Sequence, residues 1–309
     1  FSSARVTVTD GITTASATFT WTITPPNLSQ NFATFTSAAG LQLNGSTSVS
    51  NGVLVLTPNT GNQAGSAFLT APVPVSEGTS FSSRFVFRMN GTGDGADGMT
   101  FLLQGNAATA LGAAGGGEAY EGILKSLAIE LDTYTGGTDP NANHIGILTN
   151  GVVSPHLSTA TPSFDMENGA SHTLWVDYDG PSDTLRVYIV QGVSTTKPAT
   201  PILTQTALKL ASIVGPSAWM GFTGATGGST NTHEVLSWEI NLNAFASPTP
   251  PVVTNPGPRS SIINAATSLS IQATDLNQDT LAFSAAGLPT GLSINAASGI
   301  ISGTPTAAG

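Results

Sequence analysis

The segment that decides the fold occupies residues 127–134 and reads LAIELDTY. Side chains alternate between the two faces of a β-strand, so the leucine and isoleucine side chains share one face and Glu130 and Asp132 share the other. The apolar face belongs against a core. Two carboxylates on a buried strand cost several kcal/mol unless a cation or hydrogen-bond donors compensate them. The segment therefore predicts a buried strand with a site for a cation beside it.

The loop that follows this strand carries further groups of the kind that bind metal ions. Asp139 is followed by the sequence HIGI at residues 144–147, which brings a carboxylate and an imidazole back toward the strand end. Oxygens from Asp132, Asp139 and a backbone carbonyl suit Ca²⁺, which takes about 6 to 8 oxygen ligands. Glu130, Asp132, Asp139 and His144 together suit a transition ion. The pattern favours a two-metal cluster; the alternative is that the acids face solvent and His144 packs in the core.

The composition around this segment is that of an all-β protein. The chain has 309 residues, of which only 8% are charged, with 35 Gly and 19 Pro. Period-two alternation recurs, as in RVTVT at residues 5–9 and LRVYI at residues 185–189, and Asn-Gly pairs separate such runs. Short alternating segments joined by turn residues predict strands rather than helices. The length accommodates one large β-sandwich and a smaller module.

The charge balance and the absence of certain features exclude several partner classes. Eight Lys and Arg against 18 Asp and Glu give a net charge of -10, which repels nucleic-acid phosphates and anionic lipid. There is no Cys, so no disulfide holds the fold, and no apolar run approaches the roughly 18 residues of a membrane span. We expect neither nucleic-acid binding nor membrane insertion.

The metal-ligand segment resembles a known family. ELDTY at residues 130–134, followed by Asp139 and HIGI at residues 144–147, is similar to the metal-binding stretch of legume-type (L-type) lectins. Other segments follow in that family's order: FSSRF at 81–85, ADGMTF at 96–101, GGG at 115–117 and THEVLSW at 232–238. The resemblance covers residues 31–242, about two thirds of the chain. It implies a concanavalin-type jelly-roll sandwich with calcium and a transition metal such as Mn²⁺.

The resemblance also assigns metal ligands to individual positions. It places Glu130, Asp132, Tyr134, Asp139 and His144 at the two ions. The sequence departs from the family pattern in one respect: the Asn two residues after the tyrosine, which binds both calcium and sugar, is Gly136 here. An Asn side chain offers a carbonyl ligand and an NH₂ donor together. We expect the missing amide to come from the far side of Asp139, from one of two residues, Asn141 or Asn143.

The family's carbohydrate site maps onto three loops. Asp97, after a cis bond from Ala96, corresponds to the acid that accepts sugar hydroxyls. The glycine run, whose backbone donors approach the sugar, corresponds to Gly115, Gly116 and Gly117. The variable specificity loop falls at Gly227 and Gly228. The alternative for both glycine clusters is that they are plain turns.

The remaining histidines and the tryptophans carry no recognisable chemistry in the sequence. His156, His172 and His233 have no neighbouring Ser or Cys arranged as a nucleophile with its base, so we expect ordinary core or surface residues. Trp175, Trp219 and Trp238 lie in apolar strand contexts and are expected to pack in the core.

The two ends of the chain resemble parts of one module. Residues 287–294 (GLPTGLSI) and 299–305 (GIISGTP) are similar to immunoglobulin-like repeats of bacterial surface proteins. The two closing strands of that pattern occur instead at the N-terminus, as VTVTD at residues 6–10 and FTWTI at residues 19–23. We therefore expect an immunoglobulin-like β-sandwich split between the two ends.

The predicted domain organisation follows from these segments and from two proline-rich joints. Residues 1–24 form the last two strands of an immunoglobulin-like domain, 25–30 a linker and 31–243 the legume-lectin-like domain. Residues 244–254 form a Pro-rich linker, and 255–309 the first strands of an immunoglobulin-like domain. We expect each chain to join further copies of itself head to tail, or an adjacent tandem repeat.

The function expected from this sequence is that of a calcium-dependent, glycan-binding repeat unit of an extracellular adhesin or surface fibre. The stretch YEGI at residues 120–123 is closer to bacterial and secretory-pathway relatives, so we expect a bacterial surface protein. The alternative function is a structural fibre repeat with a lectin fold and no sugar binding. Glycoside hydrolases on this sandwich place acids at Glu-x-Asp-x-x-Glu spacing, but Thr135 occupies the last position. We expect no enzyme.

Overall fold

The computed structural model describes residues 2–9, 14–21, 29–91, 95–137, 139–242, 252–274 and 281–307. The first two strands, β1 (Ser2–Thr9) and β2 (Thr14–Trp21), form an antiparallel hairpin that pairs Ser2 with Trp21. These are the segments in which alternation predicted strands. Among the described residues, the hairpin joins no other sheet.

The regular secondary structure of the central region is almost entirely β-strand. Its helical segments are α1 (Leu210–Val214) and the two 3₁₀ turns Gly115–Gly117 and Gly180–Ser182. The strands are β3 (Gln30–Phe32), β4 (Leu41–Gly45), β5 (Ser48–Ser50), β6 (Val53–Thr57), β7 (Ala64–Leu69), β8 (Val73–Pro74), β9 (Phe81–Asn90), β10 (Gly98–Gln104), β11 (Ser126–Asp132), β12 (His144–Thr149), β13 (Ser158–Ala160), β14 (Asn168–Asp179), β15 (Thr184–Gln191), β16 (Leu203–Gln205), β17 (Ser217–Ala225) and β18 (Thr232–Asn241).

These strands form two eight-stranded sheets. One runs in the order β13-β12-β11-β10-β17-β7-β4, with β8 beside β17. The other runs β16-β15-β14-β9-β18-β6-β5, with β3 beside β18. Neighbouring strands pair antiparallel. Some neighbours are consecutive in the sequence, as β11 and β12, and others are distant, as β10 and β17 or β9 and β18, which is the pattern of a jelly-roll sandwich. The expected all-β fold is therefore confirmed.

Aromatic and aliphatic side chains of the two sheets meet in one large core. Phe222 lies 5.0 Å from Phe85 and 4.9 Å from Trp238, measured between ring centroids, and both contacts are edge to face. Trp238 is fully buried and donates its indole N–H to Ser83 Oγ at 2.9 Å. Burying a side chain of this size contributes about 1.5 to 3 kcal/mol. The expected packing role of Trp238 is confirmed, and Trp175 is likewise buried.

The register of the first sheet concentrates polar groups at one end of β11. All seven residues of β11 are buried, and Asp132, its last residue, pairs with Gly98 of β10 and His144 of β12. Because the strands are antiparallel, the end of β11 lies beside the first residues of both neighbours. Residues 97, 132 and 144 therefore meet at one end of the sandwich.

The C-terminal region forms two small sheets. The strand β19 (Val252–Val253) pairs with β21 (Ala273–Thr274), and β23 (Ile300–Gly303) lies between β20 (Thr267–Ser270) and β22 (Leu292–Ile294). Among the described residues from 252 onward, the buried ones are Gly299 and Pro305. This region therefore contributes very little buried apolar surface.

No helix in the described part of the chain is long and apolar enough to cross a membrane.

Candidate metal centre and adjoining pocket

The acids predicted as metal ligands come together at the end of β11. Ligand atoms of Asp132, Asp139 and His144 lie within 4.8 Å of one another, and those of Glu130 and Asp132 fall within the same distance. Asp132 Oδ1 accepts a hydrogen bond from the Tyr134 backbone N–H at 2.6 Å. All five positions expected at the ions, Tyr134 included, therefore surround one region.

The short loop after β11 is closed by its own aspartate. Asp139 Oδ2 accepts a hydrogen bond from the Gly136 N–H at 2.8 Å, and the Asp139 N–H donates to the Gly136 carbonyl at 3.0 Å. Gly136 contributes no side-chain oxygen, so the position at which the resemblance implies an asparagine ligand has none here.

The two asparagines expected to fill this gap use their amides elsewhere. Asn141 donates to Thr161 Oγ1 and accepts from the Asn143 N–H. Asn143 donates to the Phe164 carbonyl and accepts from the Met166 N–H. Both side chains hold the loop in shape, and neither is directed at the cluster of acids.

His144 presents one ring nitrogen to the cluster. Its Nδ1 lies 2.8 Å from the Asn141 carbonyl oxygen, which orients the ring and leaves Nε2 facing Glu130 Oε2 at 3.5 Å. A histidine whose second nitrogen is hydrogen-bonded to a carbonyl is the common arrangement of a metal ligand.

His156 is a member of the cluster that the sequence interpretation missed. Its Nε2 lies 2.6 Å from Glu130 Oε2 and 3.4 Å from His144 Nε2. The segment after β12 folds back over that strand, and the His156 ring lies above Gly146, where a Cβ would be 2.5 Å from the ring. The expectation of an ordinary core or surface residue was wrong for His156. The one available signal was a glycine opposite Glu130 in the register.

Glu118 is a second missed residue. It ends the Gly115–Gly117 turn with φ 49° and is 2% exposed, and within the described part of the chain neither carboxylate oxygen has a hydrogen-bond partner. A ligand oxygen of Glu118 lies within 4.8 Å of those of Glu130 and Asp132. The residues expected from the sequence at this turn were its three glycines, and Glu118 follows them directly.

The cluster perturbs the ionisation of its members. Burial, followed by the charges of Glu130 and Asp132, raises the pKa of Glu118 well above its usual range. Burial also raises the pKa of Asp132 to about 7. Burial opposes ionisation of Glu130, but hydrogen bonds from His144 and His156 outweigh it and lower the Glu130 pKa. The negative charge of the clustered carboxylates is therefore greater than the two imidazoles can balance.

The donor set fits the two ions that the resemblance implies. Glu118 supplies buried oxygens near those of Glu130 and Asp132, and Asp132 in turn lies near Asp139; the Glu118 oxygens have no hydrogen-bond partner among the described residues. Buried unpaired carboxylates are costly unless a cation lies beside them. Oxygen donors suit Ca²⁺, and the imidazoles of His144 and His156 suit a transition ion.

A pocket of about 200 Å³ lies against this cluster, with Asp97 on its wall. The Ala96-Asp97 peptide is cis, as expected, and the Asp97 backbone binds Ala225 and Thr133. Asp97 is 7% exposed, its Oδ2 has no hydrogen-bond partner among the residues that the structure describes, and burial raises its pKa to about 6. Tyr134 also lines the pocket and is 44% exposed.

The glycine loops meet Asp97 at the pocket. A Cβ on Gly227 would lie 3.1 Å from Asp97 Oδ2 and 3.4 Å from Gly115 Cα, and Gly116 lines the pocket wall. A Cβ on Gly228 would meet nothing within 4 Å. The Gly115 and Gly117 N–H groups donate to Thr226 and Ala114 carbonyls, so these two amides are not directed at a ligand.

The other two histidines are core residues, as expected. His172 stacks on Phe164 with ring centroids 4.9 Å apart. His233 Nδ1 lies 2.6 Å from Thr57 Oγ1, and burial lowers the His233 pKa to about 3. Burial lowers the pKa of His172 as well, and neither histidine belongs to the cluster.

Comparison with known proteins agrees with this geometry. The family model described as the legume lectin domain matches residues 27–254, and an Ig-domain model matches residues 250–309. The Arabidopsis thaliana L-type lectin-domain containing receptor kinase VIII.1 is 31% identical over 73% of this chain and 33% of its own length. The chain therefore spans about a third of that relative. A bark lectin from Styphnolobium japonicum is 34% identical over 69% of this chain and 79% of its own.

Solved structures of lectins share the sandwich. Lectin II from Ulex europaeus superposes with a TM-score of 0.61 at 27% identity, covering 70% of this chain and 98% of its own. Basic winged bean lectin with Tn-antigen gives a TM-score of 0.60 at 28% identity, covering 69% of this chain and 97% of its own. The matched lectins are carbohydrate-binding proteins. With the fold, the acid cluster and the family match in agreement, the chain belongs to the legume lectin family, with an Ig-type domain following the lectin domain.

Proposed function

We propose that this protein is a calcium-dependent carbohydrate-binding module. One observation carries the proposal: the buried Asp97 Oδ2, which has no hydrogen-bond partner in the described structure, lies on the wall of a pocket that Glu130, Asp132 and Asp139 also line. A carboxylate oxygen in a pocket beside a metal centre is well placed to accept hydrogen bonds from sugar hydroxyls.

Asp132, Asp139 and the Tyr134 carbonyl would hold calcium, and Glu130, Asp132, Asp139 and His144 a transition ion. Bound cations supply the positive charge that this group of carboxylates lacks. The residues of the chain then define the sugar site. Asp97 accepts hydroxyl hydrogen bonds, the Tyr134 ring forms one wall, and the side-chain-free surface of Gly116 and Gly227 allows close approach of the ligand.

The test is a glycan array probed with metal-loaded protein, with and without a chelator. The proposal expects binding that the chelator abolishes and that calcium restores. Binding that persists in the chelator, with metal loss verified by elemental analysis, would refute calcium dependence.

We further propose that the site is not catalytic. Glycoside hydrolysis needs a second acid about 5 to 9 Å from the first and in contact with substrate. Position 135 is a threonine, so the Glu-x-Asp-x-x-Glu spacing of such hydrolases lacks its last acid. Release of reducing sugar from any glycan that the protein binds would refute this.

We place the protein outside the cell, on a bacterial surface, as a repeat of an adhesin or fibre. The C-terminal sheets support head-to-tail assembly, because the alternating residues Leu269, Leu292, Ile294 and Ile301 are only half-buried. The N-terminal hairpin of another copy would cover that face, completing an immunoglobulin-like sandwich. Analytical ultracentrifugation would show concentration-dependent chains, and Ile294→Ser would shorten them; a strictly monomeric protein would refute assembly between copies.

A second candidate function is a structural fibre repeat that binds no sugar. Gly136 favours it, since this residue removes the side chain that would contact both ion and sugar. A calcium-loaded protein that binds nothing on a broad glycan array would support this candidate over the first.

A further inference from the structure

His144, His156 and Glu130 direct three ligand atoms at one point. The distances are 2.6 Å from His156 Nε2 to Glu130 Oε2, 3.4 Å between the two Nε2 atoms, and 3.5 Å from His144 Nε2 to Glu130 Oε2. An ion with ligands at about 2.0 to 2.1 Å in tetrahedral geometry separates them by roughly 3.3 to 3.4 Å. Two of the three separations match that spacing in the protein alone.

The surroundings hold this triangle in place. The Nδ1 of His144 lies against the Asn141 carbonyl, so the ring cannot turn away without losing that contact. The side chain of His156 is 7% exposed and lies over Gly146, the register partner of Glu130. Any side chain at Gly146 would occupy the space of both the His156 ring and the Glu130 carboxylate.

We propose that His156 is a second imidazole ligand of the transition ion, and that it makes this centre select Zn²⁺ over Mn²⁺. The proposal rests on the proposed function only in requiring that a transition ion binds at Glu130 and His144. Imidazole suits zinc, whereas carboxylates and water suit manganese, and zinc also lies above manganese in the general affinity order. Replacing an oxygen by a second nitrogen in the ligand set increases that preference.

The test compares metal binding by wild type and His156→Gln, with His172→Gln as the matched control for an imidazole outside the cluster. Calorimetric titration of chelator-stripped protein is expected to show that His156→Gln weakens Zn²⁺ binding at least tenfold, while Mn²⁺ binding changes much less. His172→Gln leaves the affinities for both ions unchanged.

A spectroscopic measurement separates ligation from loss of structure. Spin-echo modulation of bound Cu²⁺ is expected to report two coordinated imidazoles in wild type and one in His156→Gln. One imidazole in wild type, or equal losses of Zn²⁺ and Mn²⁺ affinity in His156→Gln, would overturn the proposal. Neither readout depends on glycan binding, so failure here is distinguishable from failure of the carbohydrate function.

Glu118 carries a second, independent inference. Its two carboxylate oxygens are buried and have no hydrogen-bond partner among the described residues. A Cβ built on Gly98 would collide with Oε1, so the carboxylate lies over the start of β10 beside Asp132. Across the cluster, Gly136 leaves space: the nearest atom to a Cβ built there is Asp139 Oδ2, at 3.5 Å. Gly136 therefore supplies no side-chain oxygen to the cluster, whereas Glu118 supplies an additional one.

We infer that Glu118 replaces the missing amide as an oxygen ligand of the calcium ion. The inference rests on the proposed calcium site. Exchange of a neutral amide for a carboxylate adds a negative charge to the ligand set, which strengthens calcium binding. It also accounts for a fully buried acid that makes no hydrogen bond to the described protein.

The test uses Glu118→Gln, with Glu121→Gln as the matched control for an exposed acid in the same turn. We expect calorimetry to show that Glu118→Gln lowers calcium affinity at least tenfold, because the number of charged ligands strongly affects the affinity of calcium sites. In chelator, the same variant melts no lower than wild type, because it removes a buried carboxylate. Glu121→Gln changes neither quantity.

A rescue variant tests the position of the gap. Gly136→Asn in the Glu118→Gln background is expected to recover calcium affinity, since residue 136 has no positive φ and has room for a side chain. Unchanged calcium affinity in Glu118→Gln would overturn the inference. So would a fall in calcium affinity accompanied by a lower melting temperature in chelator. A wild type that binds no calcium would instead refute the proposed function.

Discussion

Removing the charge of Asp132 is expected to stabilise the metal-free protein at neutral pH. Asp132 is 8% exposed, and burial, together with the charge of Glu130, raises its pKa from 3.8 to about 7. A carboxyl group whose pKa is raised in the folded state destabilises that state once it must ionise. The penalty is absent below the ordinary pKa, grows between about pH 4 and pH 7, and is complete above that range.

The size of this effect follows from the pKa difference. Each tenfold change in proton affinity corresponds to about 1.4 kcal/mol, so ionised Asp132 lowers the free energy of unfolding by about 4 kcal/mol. Asp132→Asn lacks this penalty and keeps an oxygen for the Tyr134 N–H. For a sandwich of this size, the gain raises the melting temperature by roughly 10 °C at about pH 7.5. The gain falls to under about 1 kcal/mol near pH 4.

The assay is thermal unfolding of wild type and Asp132→Asn in chelator at both pH values. Wild type and Asp132→Asn both contain His172 and His233, so the difference between their unfolding free energies cancels the contributions of these histidines. In excess calcium the sign reverses, because Asp132→Asn has lost a ligand that stabilises the native state by mass action. A variant that is less stable than wild type in chelator at neutral pH, or a difference independent of pH, would refute the reasoning.

Three further substitutions test other parts of the structure. Asp97→Asn is expected to leave calcium affinity within error while abolishing glycan-array binding, and retained binding would move the site elsewhere. Gly227→Val places carbon against Asp97 Oδ2, so we expect glycan binding to weaken at least tenfold with calcium affinity unchanged in calorimetry. Trp238→Ala empties a fully buried site and is expected to lower the free energy of unfolding in urea by about 3 to 5 kcal/mol; a loss under about 1 kcal/mol would contradict the packing described for that residue.

The histidines and acids of the cluster show which local patterns can be interpreted from sequence. Glu130 and Asp132 were predictable because alternation along β11 separates polar from apolar faces, and a buried strand cannot hold two free carboxylates. Asp139 and His144 follow in a short loop, so their return to the strand end required little of the tertiary structure. Asn141 and Asn143 are equally close in sequence, yet their amides hydrogen-bond to residues 161–166, which no local pattern indicates.

Residues that reach the cluster from other loops were not predictable in this way. Glu118 comes from the turn that follows the glycine run, and His156 from the segment that folds back over β12. Each lies next to Glu130 only because the sandwich brings separate segments over the same strand. Glu118 is also an acid in a turn, a position that is usually exposed.

By itself, the sequence determined the all-β class, the buried strand at residues 126–132 with its two acids, and the core positions of residues such as Trp238. These follow from side-chain alternation and burial, which act over a few residues. Only the tertiary structure decided that Glu118 and His156 lie in the cluster of acids and histidines, that the Asn141 and Asn143 amides point away from it, and that Asp97 faces Gly227. Those outcomes depend on the order of strands across a sheet and on how loops pack over it, which distant segments determine together.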